Sequence, residues 1–318
     1  MIRILQNFLT ALEAVLPFLI YLGIGYLVVR AGMADVPFMN RLNRITFRVL
    51  FPFLMFYNIY RGSAEEMPST LLILTAVISI LLLVAALMLV VPRLVPGNPR
   101  RGVIIQGIFR SNYLLYGLPL TLSVFGDAYA GIAGIMVMIV VAEFNICAVV
   151  VLELFNGDGK VNWKDLPLKL VRNPLMQGCA LGLVFFLAGI RLPKGLEAPV
   201  SALSGMVTPL ALITLGGTLR FSAIRENARM LTVVLLTKLV LLPAAMLLLG
   251  CVVGLRRVEL FLFLMVFAAP VATSSYPMAV NMGGDGELAG QLVFLSTVAS
   301  LATVFCFIFG MGQAGLLY

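Results

Sequence analysis

The sequence predicts an all-α membrane protein of ten transmembrane helices, arranged as two five-helix halves of opposite topology. Three observations predict it. Of 318 residues, 61% are apolar and only 11% are charged, against about a quarter charged in an ordinary soluble domain. A soluble chain of this length cannot hide so much apolar surface, because surface falls too slowly with size. The apolar residues also form continuous runs of about twenty rather than alternating. That is the length a helix needs to cross a bilayer core, where no water satisfies a bare backbone. Third, breaker residues recur at one offset in the two halves.

The spans read, in order, as Leu9–Val29, Met39–Tyr60, Thr70–Val91, Gly102–Phe125, Tyr129–Phe155, Asn173–Ile190, Leu196–Leu219, Arg229–Gly254, Val258–Asn281 and Glu287–Gly312. The first run is too long for a signal-peptide core and lacks a small-residue cleavage site, so it counts as a helix. The second begins with Arg41, Asn43, Arg44 and Arg48. Its start is therefore expected at the interface, with long side chains reaching the headgroups. The polar segment 156–172, which holds the single tryptophan, links a first repeat over 1–155 to a second over 173–318. Five spans per half make the second half enter the membrane from the opposite side.

Charge sets the orientation. Six Lys and Arg residues fall on the side that carries both termini and fourteen on the other, including Arg100, Arg101, Lys160, Lys164, Lys169, Arg220 and Arg229. The richer side is expected to be cytoplasmic, which places both termini outside, in a multi-pass protein of the inner or plasma membrane. The net charge of +8 then serves topology and anionic lipid headgroups rather than nucleic acid. There is no histidine, which removes the commonest proton shuttle and metal ligand and with it the Ser/His and zinc intramembrane proteases. Cys147, Cys179, Cys251 and Cys306 lie in apolar runs without C-x-x-C spacing, so they read as buried small residues. No metal, cofactor or enzymatic activity is expected. Asp127 and Asp285 match between the halves, but they sit in loops and make a poor intramembrane acid pair.

Pro119 and Pro277, Gly126 and Gly284, and Asp127 and Asp285 are each 158 residues apart, and Pro52 and Pro209 are 157 apart. We read these as an inverted repeat, the architecture of many secondary transporters. Gly117 and Pro119 interrupt the fourth span. Pro270 and Pro277, with Thr273, Ser274 and Ser275 between them, interrupt the ninth. A mid-span proline removes a backbone donor and clashes with the preceding turn. Broken helices at matching positions point to a midplane binding site, where amides and helix N-termini take an anion; packed kinks are the alternative reading.

Charged residues inside a bilayer cost several kcal/mol unless paired or wetted. Glu143 and Lys238 lie at similar depth, about 14–16 Å from one end of their helices. They read as a coupling pair that exchanges a proton, or else as a permanent salt bridge. Asn145 is placed to support them. Arg110, in Arg110-Ser111-Asn112-Tyr113, reads as a carboxylate-holding guanidinium with Asn112 beside it, or as an arginine snorkelling to the boundary.

Several stretches resemble the auxin efflux carrier family of permeases, whose bacterial members include malonate-type transporters. They are Phe-Arg-Ser-Asn-Tyr and Gly-Leu-Pro-Leu within 109–120, Arg-Asn-Pro-Leu at 172–175 and Thr-Pro-Leu-Ala-Leu-Ile-Thr-Leu-Gly-Gly-Thr-Leu at 208–219. Lys-Leu-Val-Leu-Leu-Pro at 238–243 and Ala-Pro-Val-Ala through Gly-Gly-Asp at 269–285, with Ser-Thr at 296–297, complete the set. The resemblance implies a bile-acid-symporter/NhaA-like fold with crossed, broken helices 4 and 9. Spans 1, 2, 6 and 7 would form a scaffold and spans 3–5 and 8–10 a moving transport domain. It further implies elevator motion, small organic-anion substrates and a homodimer. Asn112, Gly117 and Pro119 map to the first crossover, Pro270 to Pro277 to the second, and Lys238 to a proton-linked support site. The third span lacks the acid of the plant carriers, and Glu143 is conjectured to replace it. A sodium-coupled symporter of the bile-acid type and an anion receptor that moves nothing are the other readings.

Overall fold

A computed structural model describes residues 2–61, 67–156 and 166–317. Most of the 156–172 linker, with Lys160, Trp163 and Lys164, lies outside the described residues. The helices are α1 (Ile2–Arg30), α2 (Val36–Ile45), α3 (Phe51–Tyr60), α4 (Thr70–Leu94), α5 (Asn98–Phe109), α6 (Tyr113–Phe125), α7 (Ala130–Leu154), α8 (Leu166–Arg172), α9 (Pro174–Leu187), α10 (Lys194–Thr218), α11 (Phe221–Glu226), α12 (Ala228–Leu236), α13 (Leu242–Val253), α14 (Arg257–Ala268), α15 (Ser275–Asn281) and α16 (Gly286–Gln313). Five helical segments among the described residues, Thr70–Leu94, Asp127–Leu154, Lys194–Thr218, Ala228–Val253 and Gly286–Gln313, are long and apolar enough to cross a membrane. The fold is all-α, and its exterior says which solvent it meets. The apolar core of Thr70–Leu94 is only 22% buried. Leu74, Ile78, Leu82 and Leu89 face outward along it, an arrangement water would penalise and lipid does not.

Helix starts follow local chemistry. Asp35, Ser69, Asn173 and Asp285 accept backbone N–H groups at the first turns of α2, α4, α9 and α16, which satisfies donors the helix itself leaves free. Prolines stand in the first two positions of α2, α3, α5, α9 and α13, where no intrahelical N–H is needed. Two of these matter for shape. Pro52 and Pro243 each follow a π turn, Thr46–Leu50 and Thr237–Leu241. The extra residue absorbs the hydrogen bond that each proline cannot give.

Small residues set the tightest packing. α1 lies on α10 and α3 lies on α9. A Cβ on Gly25 would stand 1.9 Å from Ile213 O, and one on Gly216 would stand 2.0 Å from Leu22 O. Gly178 and Gly182 meet the carbonyls of Pro52 and Phe56 in the same way. Such contacts replace the hydrophobic drive that lipid cannot supply between helices.

The fourth and ninth expected spans are each broken, but not where proline alone points. The first interruption is Arg110–Asn112, between α5 and α6, and Pro119 lies inside the continuous α6. Proline there removes only the donor to the carbonyl four residues earlier, which a helix absorbs as a bend. The second interruption, 269–274, contains Pro270 as expected, while Pro277 lies inside α15. The two extended segments pair through an antiparallel bridge, Ser111 with Val271. Asn112 N donates to Pro270 O at 2.7 Å, and Ala272 N donates to Arg110 O at 3.4 Å.

Candidate functional site

At this pairing α5 and α14 end and α6 begins. A cavity of about 60 Å³ opens beside it, room for a few waters. Of the residues singled out in the sequence, Arg110, Asn112, Asn145, Thr273 and Ser274 line it. The opposite wall comes from α3 and α10 through Met55, Asn58 and Thr208. Tyr113 and Leu114, the first residues of α6, are in the wall, so the positive end of that helix faces the space.

Arg110 is the central cation. It is 2% exposed, so it does not snorkel to a boundary. Its guanidinium donates to Asn145 Oδ1, lies 3.5 Å from Gln106 Oε1 and rests against Met278 Sδ. Gln106 Nε2 in turn donates to Ser275 O at 3.0 Å, which ties the first broken helix to the second. These neighbours satisfy N–H groups without cancelling charge. Among the described residues Arg110 has no carboxylate partner. Asn112 adds an amide whose Nδ2 is buried with no hydrogen-bond partner.

Lys238 approaches from the π turn between α12 and α13. It is 0% exposed, and its ammonium donates to Ser111 Oγ, within the first interruption. Here too no carboxylate answers the charge among the described residues. The carbonyl ends of α5 and α14 offset part of it, because a cation near a helix C-terminus meets a partial negative charge.

Glu143 and Lys238 do not form an ion pair. Both Glu143 carboxylate oxygens are buried without a hydrogen-bond partner. Equal depth along two helices says nothing about which way each faces. At 3.6 residues per turn, Glu143 and Asn145 point about 200° apart on α7. Asn145 faces Arg110, so Glu143 faces away from it.

Gly117, Pro119, Pro270, Ser275 and Pro277 do not line the cavity. Gly117 instead makes room for Tyr113, whose ring atoms come to 2.6 Å from where a Cβ would be. Pro270 acts through its carbonyl in the pairing. Ser275 is 1% exposed, with an unpartnered hydroxyl. Sequence reasoning missed Gln106, Ser111, Asn58 and Ser296, whose hydroxyl accepts Val271 N at 3.1 Å. Gln106 and Asn58 are lone polar residues in apolar runs, whereas Ser111 and Ser296 stand beside the polar residues Arg110, Asn112 and Thr297, and that was the available signal. The four cysteines are free; Cys147 and Cys179 are buried, but Cys251 and Cys306 are on the outer surface, where lipid accepts a thiol as readily as a core does.

The chain is 24% identical over 300 residues to an uncharacterised transporter of Methanothermobacter thermautotrophicus, covering 93% of this chain and 97% of that protein. A family model described as membrane transport protein matches residues 10–308, nearly the whole length, and the chain therefore belongs to this family, the auxin efflux carrier group of multi-pass membrane transporters.

Proposed function

We propose that the protein is a secondary transporter of small organic anions, carboxylates of the malonate or auxin type, which it binds at the paired interruptions. One observation carries this reading. Two cations, Arg110 and Lys238, are buried at the same pairing with only neutral partners, beside a cavity that the start of α6 faces. A buried charge without a counter-charge is expensive, and a carboxylate entering the cavity supplies one. A bidentate carboxylate also matches the fork of a guanidinium, and the free Asn112 amide offers a further donor.

In this reading ten spans form two inverted halves, 1–155 and 173–318, with both termini outside. Spans 1, 2, 6 and 7 are the scaffold. Spans 3–5 and 8–10 carry the site past it in an elevator motion, in protomers that pair as homodimers. The cavity lies between the interruptions on one side and α3 and α10 on the other, which is where such a motion would expose it. Glu143 is the residue we assign to proton exchange, being the acid whose two oxygens are buried without partners; Lys238 and Asn145 hold the frame on which it acts.

The test is thermal stabilisation of the purified protein by a panel of mono- and dicarboxylates, with pH and sodium varied. A ligand that binds only the folded state raises the melting temperature according to its concentration over its Kd. Stabilisation lost in Arg110→Gln is the expected result. An Arg110→Gln protein that keeps wild-type affinity for every anion removes Arg110 from the site.

A further inference from the structure

A second cavity, about 220 Å³, lies at the far end of α10 and is lined in part by Asn40 of α2, Thr218 and Arg220, Tyr276 of α15, and Glu287 of α16. It shares three supports with the central cavity: the α2–α3 helix, α10 and the segment 273–276. On α10 the residues between those lining the two spaces include Thr214; on the α2–α3 helix they include Asn43 and Thr46; on the third support the residue is Ser275. All four are buried, at 1% exposure or less.

These residues carry an anomaly. Both amide atoms of Asn43, Thr46 Oγ1 and Ser275 Oγ have no hydrogen-bond partner. A buried, unsatisfied polar atom is costly, and nature leaves few without a reason. Met39, one turn before Asn43, lies against Gly217 of α10, and residues four apart share a helix face. Asn43 therefore faces α10. α15 packs against both α2 and its π turn, which puts Ser275 on the same seam.

We propose that this seam is a polar passage connecting the two cavities, closed here, through which water and a small hydrophilic anion reach the central site. The orphaned groups are its lining and bond to water when it opens. The hydrogen bond between Thr218 Oγ1 and Tyr276 Oη, 2.6 Å long, is its latch, joining α10 to α15 at the mouth. The Arg220–Glu287 pair beside it, 3.6 Å apart, is exposed and adds little. The passage rests on the reading of the central cavity as the binding site but needs no particular substrate.

The experiment is labelling with an anionic methanethiosulfonate in a background where the four native cysteines are alanine. Thr46→Cys, nearly isosteric, is the principal probe, and Asn43→Cys the second. Ala76→Cys is the control, since Ala76 of α4 is equally buried but lines neither cavity. Thr46→Cys is expected to react while Ala76→Cys does not. Adding Tyr276→Phe, which removes one neutral hydrogen bond, is expected to raise the rate about fivefold. Thr46→Cys and Asn43→Cys as inert as the control, with or without Tyr276→Phe, overturn the passage, and so does equal reaction at all three sites. Should Asn43→Cys not fold, Thr46→Cys alone decides. Labelling in a protein that no carboxylate stabilises leaves the passage standing and the anion reading fallen; stabilisation without labelling does the reverse.

Discussion

Replacing Gly216 by alanine is the sharpest test of how the α1–α10 contact is made. The new Cβ would stand 2.0 Å from Leu22 O and 2.8 Å from its carbonyl carbon. An ordinary C···O contact is about 3.3 Å or more, so the two helices must separate by about 1.3 Å or tilt. Backbone cannot swing aside as a side chain does. The cost therefore falls at the upper end of the range for overpacking, about 3 kcal/mol. For a protein of this size that corresponds to a loss of about 4–5 °C in melting temperature. Gly205 lies on the same helix with nothing within 4 Å of its would-be Cβ. Gly205→Ala therefore gains helix propensity, up to about 1 kcal/mol, and does not lower the melting temperature. The assay is thermal unfolding of both variants in one detergent, followed by the loss of monodisperse protein on size exclusion. A Gly216→Ala protein that melts with wild type refutes the close approach of α1 and α10.

Pro119→Ala tests whether proline makes the first interruption. Because α6 runs through Pro119 unbroken, the variant is expected to bind carboxylates as wild type does, with an unchanged or higher melting temperature, read in the same stabilisation assay. Glu143→Gln is expected to flatten the pH dependence of transport into vesicles, and an unaltered profile removes Glu143 from coupling. At Asp285 two roles separate. Asp285→Asn keeps an acceptor for Leu288 N and loses only the partly exposed Arg100 pair, 3.2 Å apart, costing less than about 1 kcal/mol. Asp285→Ala also loses the helix cap and costs about 1 kcal/mol more, measured as the difference in melting temperature between the two. Ser111→Ala leaves the Lys238 ammonium without its hydroxyl acceptor. It is expected to destabilise the free protein and to be partly rescued by a bound carboxylate, visible as a larger ligand-induced shift than in wild type.

Much of the fold was legible because hydrophobicity and proline act locally. Most expected spans fall within a few residues of a helix or a pair of helices, from α4 at Thr70–Leu94 to α16 at Gly286–Gln313, and five helical segments among the described residues are long and apolar enough to cross a membrane. The second interruption was legible too, since Pro270 stands in it. The first was misplaced by several residues, for a physical reason. Arg110–Asn112 is held extended by partners about 160 positions away, Pro270 and Ala272, and no local preference records that. The proline that drew attention, Pro119, costs α6 one hydrogen bond and no more. The site was half visible. Arg110, Asn112 and Lys238 stood out as polar or charged residues in apolar runs, and all three meet at the pairing. The supposed Glu143–Lys238 pair failed because depth was inferred and azimuth was not. Gln106 was passed over because one neutral polar residue in a span carries little signal until its partner is known, and Ser111 because its neighbours Arg110 and Asn112 carry the stronger signal.

The pairing of the two interruptions bears on how such a carrier changes its taste. Asn112 N and Ala272 N are already committed to Pro270 O and Arg110 O, so these amides hold the frame shut and are not free to greet a solute. On the proposed reading of the cavity as the binding site, discrimination between solutes falls to the side chains hung on that frame, such as Asn112, Asn145, Thr273 and Asn58. A lineage could exchange those few groups and alter its diet while the backbone beneath stays as it is. Related carriers of very different cargo would then share one skeleton and diverge at a handful of positions.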